Sequence, residues 1–100
     1  MTHDCLLTLI AAPTMEETLI DWLLMQDDIS GFSSTEIYGH GSRSIHLSLL
    51  EQVTGRQKRV QMMIHTEKET ATRLVTALKS KYPNTGLHYL ITPIVEAGQI

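Results

Sequence analysis

Read along its length, the chain alternates between strand-like and helix-like hydrophobic patterns. Within Asp4 to Ala11, Cys5-Leu6-Leu7-Thr8-Leu9-Ile10 is a continuous apolar run, of a length that suits a central strand buried on both faces. Pro13-Thr14 opens a helix, with Thr14 as N-cap and Glu17 three residues on to complete a capping box. Leu19, Ile20, Leu23 and Leu24 line one side of that helix, with Trp22 at its edge, and Gly31 ends the segment before a strand starting at Phe32. The second half repeats the plan. Val60, Met62 and Ile64 alternate with Arg59, Gln61 and Met63, so one strand face is apolar. Thr66 and Glu69 form a second capping box, followed at helical spacing by Ala71, Leu74, Val75, Leu78 and Tyr82. Pro83-Asn84-Thr85-Gly86 signals a turn, and Leu87 to Ile94 reads as a last strand.

Two strand–helix–strand units in series predict an α+β fold, the ferredoxin-like βαββαβ sandwich. It is a four-stranded antiparallel sheet with two helices on one face. Helices on one face leave the other bare. Either Leu6, Ile10, Met63 and Leu90 or the opposite parity (Cys5, Leu7, Leu9, Ile91) would lie there. Leaving such side chains wet forgoes about 1.5–3 kcal/mol each, so the bare face is expected to be buried in a homo-oligomer.

At 100 residues the chain fits a single domain, residues 1–100, with one modest core. Its apolar runs are too short to span a membrane, so no membrane insertion is expected. The N-terminus, Met1-Thr2-His3-Asp4-Cys5, has no basic region or cleavage site of a signal peptide. A single cysteine builds no disulfide framework, and a cytoplasmic location is the simplest expectation. A net charge of −3 argues against a nucleic-acid partner. The charge is unevenly spread: residues 1–42 hold seven acids and no Lys or Arg, while residues 43–100 hold all eight basic residues and four acids. The two halves should attract one another, within or between subunits.

The stretch Ser34-Thr35-Glu36-Ile37-Tyr38-Gly39-His40-Gly41 reads as a strand entering a polar loop of about residues 42–54. Gly55-Arg56-Gln57-Lys58-Arg59-Val60 starts the return strand. A long loop between two strands is a place to present residues to a ligand or partner. Gly39-His40-Gly41-Ser42 fits an anion on backbone N–H groups, and equally fits a strand end that needs positive φ. Arg43, Arg56, Lys58 and Arg59 flank the loop as phosphate or carboxylate contacts, or as a solvated basic edge facing the acidic half. The histidines suggest a second chemistry. If the ends of the second and fourth strands share a rim, His40 and His88 approach the loop carrying His46 and Glu51, a zinc or copper donor set. His3, Cys5 and His65 would gather at the opposite rim. No tight spacing such as Cys-x-x-Cys supports either group, and scattered histidines also serve as surface or packing residues.

The order of elements, Met15-Glu16-Glu17, Thr35-Glu36-Ile37-Tyr38-Gly39-His40-Gly41 and Lys58-Arg59-Val60-Gln61-Met62-Met63-Ile64 together resemble the PII signalling family over about residues 4–93. Glu51-Gln52-Val53-Thr54-Gly55-Arg56 is similar to a stretch of its small, short-loop PII-like branch. The resemblance implies a trimer whose bare sheet faces meet inside. It further implies an effector cleft near the loop bases, around Gly39, His40, Gly41, Arg43, Arg56 and Lys58, and a loop that docks on a protein target. PII proteins carry a Gly- and Lys-rich phosphate-binding turn where this chain has Ser80-Lys81-Tyr82-Pro83-Asn84-Thr85-Gly86, and residues 42–55 hold no tyrosine. The cofactor therefore stays open between a nucleotide and a divalent metal. The alternative reading is a metal-binding trimer that resembles the divalent-ion tolerance proteins, with His40, His46, His88 and Glu51 near the ion.

No enzyme activity is expected. Cys5 falls in a buried strand, where it serves as a small core residue. Glu16 and Glu17 are explained by the dipole of the helix they open. Asp27 and Asp28, near that helix's C-terminus, are electrostatically awkward there and are expected to pair with a neighbouring basic strand.

Overall fold

A computed structural model of the chain describes residues 4–40 and 56–100. Four strands, β1 (Asp4–Ala11), β2 (Ser33–His40), β3 (Arg56–Glu67) and β4 (His88–Pro93), pair in the order β2-β3-β1-β4. Every neighbouring pair is antiparallel. Two helices, α1 (Glu16–Leu24) and α2 (Lys68–Lys81), supply Leu19, Leu23, Ala71, Leu74, Val75 and Leu78 to a core shared with Cys5, Leu7, Leu9, Ala11, Val60, Met62 and Ile64. These strand residues share one parity, so both helices lie on the same sheet face. This is the ferredoxin-like βαββαβ sandwich that the alternating patterns predict.

Register follows from the apolar pattern. Leu7 stands between Ile64 and Ile91, and Leu9 between Met62 and Tyr89. A slip of one residue would turn all of them to the other face. Parity also decides the bare face: Leu6, Ile10 and Met63 are half-buried there and Leu90 is exposed. β1 is thus sealed on its helix side and only partly covered on the other, not buried equally on both.

Helix entry departs from the expected capping boxes. Ala12 precedes Pro13, which restricts it to extended backbone (φ −63°, ψ 145°), and a 3₁₀ turn, Pro13–Met15, starts at once. Thr14 falls inside that turn rather than at its cap, and neither cap residue, Ala12 or Met15, makes a side-chain cap bond. At the second helix, β3 continues through Thr66, which pairs with Cys5 and is buried. The cap position moves on to Glu67, again without a side-chain bond. Leu24, expected on the apolar side of α1, is 69% exposed. The strand expected from Phe32 begins at Ser33.

Of the two acids after α1, Asp28 finds a helix rather than a strand. Arg73 on α2 donates from Nη2 to Asp28 Oδ1 (2.6 Å) and from Nε to Asp28 Oδ2 (3.1 Å). Its Nη1 reaches Gln26 Oε1 at 3.2 Å. This bidentate contact joins the acidic first half to the basic second half.

Candidate functional site

The β2–β3 pairing outruns the rest of the sheet. β1 meets β3 as far as Ala11 opposite Val60, whereas β2 continues for four more rungs. These are Ile37–Arg59, Tyr38–Lys58, Gly39–Gln57 and His40–Arg56. The result is a two-stranded ribbon leading to residues 41–55. Strand alternation sorts its side chains. Tyr38, His40, Arg56 and Lys58 share the parity of Val60, the helix side, beyond the reach of the core. Ile37, Gly39, Gln57 and Arg59 share the bare-face side.

On the helix side the Arg56 guanidinium stacks 4.6 Å from the centroid of the Tyr38 ring. Such a contact is worth about 0.5–1 kcal/mol at an exposed site and fixes the plane of the guanidinium fork. Tyr38 is half exposed, so this is an open surface. His40, Arg56 and Lys58 there provide N–H donors of the kind that recognise a phosphate or carboxylate. On the other side Arg59 Nη2 donates to Gln57 Oε1, so Arg59 separates from the other two cations.

Gly39 and His40 remain in strand register, so the anion-holding turn does not begin before His40. Nor does Gly39 need positive φ, since Gly86 is the sole glycine with it among the described residues. A Cβ at Gly39 would meet Arg59 Cγ at 3.7 Å, an ordinary contact. The strand thus accounts for Gly39 without either explanation. Gly41, Arg43, His46 and Glu51, with the loop of about 42–54, lie outside the described residues, as does His3.

The histidines do not assemble as the shared-rim argument expects. His40 pairs with Arg56, while His88 pairs with Ile10, which pairs with Gln61. Those rungs lie five residues apart on β3, and β2 and β4 are opposite edges. His40 and His88 are therefore separated by about 17 Å along the strands and about 14 Å across them at ordinary spacings. They also face opposite sides of the sheet. His65 bonds Asp4 instead, Nε2 to Oδ2 at 3.1 Å, on the side away from Cys5. Among the described residues no group of three or more His, Cys, Asp or Glu is placed to hold a metal. Cys5 is buried, and burial foremost, followed by the Asp4 carboxylate, pushes its thiol pKa up, so it is a core residue.

A second concavity, absent from the sequence argument, lies where α2 hands over to β4. Asn84 (φ 61°) and Gly86 (φ 74°) turn the chain through left-handed backbone, and Thr85 Oγ1 donates to the Tyr82 carbonyl at 3.0 Å. The turn walls a cleft of about 300 Å³ against Leu78, Tyr82, Pro83, Leu87 and Tyr89. Lys79 Nζ sits 5.2 Å from the Tyr89 ring centroid and Lys81 Nζ 5.9 Å from that of Tyr82. The turn signal was legible in Pro83-Asn84-Thr85-Gly86. The cleft was not, because it depends on how far the β4 edge stands from the end of α2.

Known proteins share this geometry. A family model described as "Protein of unknown function (DUF3240)" matches residues 1–100. A crystal structure of a DUF3240 family protein from Shewanella baltica OS155 is 25% identical, with a TM-score of 0.79, covering 100% of this chain and 99% of that one. A Thermus thermophilus protein described as PII-like in signalling is 20% identical, TM-score 0.67, covering 93% of this chain and 88% of its own. The periplasmic divalent cation tolerance protein CutA of Archaeoglobus fulgidus is 12% identical, TM-score 0.71, covering 96% and 88%. No curated protein matches in sequence.

Proposed function

The chain belongs to the DUF3240 family over its whole length, and from that premise we propose that it is a PII-like regulatory protein. Three copies assemble through the bare sheet faces. A small anionic effector binds at the ribbon near Gly39, His40, Gly41, Arg43, Arg56 and Lys58. The loop of about residues 42–54 then docks on a protein target. Regulation follows if the effector binds one loop state more tightly than another.

The observation that carries this reading is the four-rung ribbon. Its helix-side face places Tyr38, His40, Arg56 and Lys58 at the base of the loop, where a bound anion would bias the loop directly. The likeness of the fold to a PII-like protein supports it. A metal-centred reading has less support, since His40 and His88 are far apart within one chain and any ion would need donors from the loop or from another copy.

Thermal unfolding with adenine nucleotides, and separately with divalent or cuprous metals, tests the proposal. An effector at ~100 times its Kd adds about 2.7 kcal/mol. The expected result is stabilisation by an anionic nucleotide that Arg56→Ala and Lys58→Ala abolish, with the unliganded midpoint little changed. Stabilisation by metal alone, lost in His40→Ala, would transfer the site to metal binding. No response to either panel would refute an effector of these classes.

A further inference from the structure

At the rim opposite the ribbon, β3 again runs past its neighbour. β2 starts at Ser33 opposite Met63, so Ile64 to Glu67 have β1 on one side and no strand on the other among the described residues. Between this stretch, the first turn of α2 and the connection that carries Asp28 and Ser30 lies a polar hollow of about 460 Å³. One wall is negative. Asp4 and Glu67 stand directly opposite one another in register, and like charges so placed repel. His65 Nε2 engages Asp4 Oδ2 at 3.1 Å, while Glu67 enters no ion pair among the described residues. Asp28 is already taken by Arg73.

The other wall donates. Glu67, at the cap of α2, makes no side-chain bond, so the first-turn N–H groups lack a cap to satisfy them. Thr66, just before the cap, lines the hollow and is only 9% exposed, yet its hydroxyl makes no hydrogen bond among the described residues. No described side-chain polar atom is fully sealed without a partner, so this hydroxyl opens on the hollow it lines. Leaving such a group unpaired costs free energy that a bound acceptor would recover.

We infer that this hollow binds a free α-amino acid. The ammonium lies between Asp4 and Glu67, and the carboxylate takes the first-turn N–H groups of α2 and the Thr66 hydroxyl. A lone anion would meet the two carboxylates, and a lone cation would leave the helix end unanswered. A ligand carrying both charges side by side answers both walls. Glu67 is cap and acid at once, so the walls adjoin, as ammonium and carboxylate do across one carbon. Among the described residues no three His, Cys, Asp or Glu are placed for a metal ion, which leaves the negative wall to an organic ammonium. The volume falls within the roughly 300–1,000 Å³ of small-molecule sites. The site is separate from the ribbon and does not depend on the effector proposed there.

Thermal unfolding of the full chain tests the assignment, with each common α-amino acid at millimolar concentration beside its decarboxylated amine and its deaminated acid. At least one amino acid should raise the midpoint by several degrees, and its amine and acid should not. Thr66→Val, Asp4→Asn and Glu67→Gln should each weaken that binding about tenfold or more, as loss of a bond to a charged group does. Thr66→Val should leave the unliganded midpoint unchanged or higher, because the hydroxyl it removes has no partner in the fold. A lower midpoint would mean that the hydroxyl serves the fold and would overturn its role in the site. No response to any amino acid overturns the site outright. An equal response to the amine alone or to the acid alone overturns the paired-charge assignment. Stabilisation that survives Thr66→Val and Asp4→Asn but is lost in Arg56→Ala places the ligand at the ribbon and overturns this site.

Discussion

The two faces of the sheet are built from the same strands, yet among the described residues only one is covered by helices. On the helix side Leu7, Leu9, Met62 and Ile64 are fully buried, because α1 and α2 cover them. On the other side Leu6, Ile10 and Met63 keep part of their surface and Leu90 is 47% exposed. Thr8, paired with Met63 on one side and Leu90 on the other, is buried on this face. The bare face mixes Thr8, Gln61, His65, His88 and Thr92 with its apolar residues, so the faces differ in composition as well as in what covers them. A closed face stabilises the monomer, while an open apolar face stabilises whatever assembles on it.

The largest effects should come from cutting into the closed face. Leu7→Ala and Leu9→Ala should each cost about 2–5 kcal/mol in urea unfolding, since the cavity left behind adds to the lost transfer energy. That is a large share of the stability of a domain this size. A cost below about 1 kcal/mol would mean that the helix side is not the principal core. On the open face, Leu90→Asp should leave the fold intact and reduce the mass in light scattering toward that of one chain. Leu6→Ala and Ile10→Ala should weaken assembly by about 1.5–3 kcal/mol each. Unchanged mass in Leu90→Asp would erase the distinction between the faces.

Smaller effects should come from polar contacts that belong to neither face. Asp28→Ala, which removes the bidentate partner of Arg73, should cost about 0.2–1 kcal/mol, because both side chains are nearly half exposed. Added salt should shrink that difference. The smallest signal should come from Cys5, whose thiol is held above its ordinary pKa of about 9 chiefly by burial. Below that value both folded and unfolded chains keep the proton, and the stabilisation is complete. As pH rises past it the unfolded chain ionises first, so stability falls until the folded thiol also ionises. Cys5→Ala should flatten this alkaline slope in unfolding curves taken across the thiol range.

Much of this architecture was legible in the residues. The apolar run at Cys5–Ile10, the alternation at Val60–Ile64 and the helical spacing from Ala71 to Leu78 each record a local period. Two repeats of strand, helix and strand admit few arrangements. Of the candidate site, Gly39, His40, Arg56 and Lys58 were legible as neighbours because consecutive antiparallel strands pair across their loop. The histidine rim was not. It depended on where β2 and β4 begin and end relative to β3, and β2 overshoots β1 by four rungs. The capping boxes misled for a related reason. Thr14 and Thr66 have the right spacing to Glu17 and Glu69, but Pro13 starts one helix early and β3 holds Thr66 in the sheet.

The kinds of element, their order and the apolar sides of β3 and α2 were set by the chain's local pattern, since each depends on residues a few positions apart. Packing in three dimensions settled which parity of β1 is bare, that Asp28 meets α2, that β2 and β3 extend as a ribbon, and that a cleft opens beside Tyr89. Those features arise from contacts between residues tens of positions apart. Strand ends and offsets set them, and neither leaves a periodic trace in the chain.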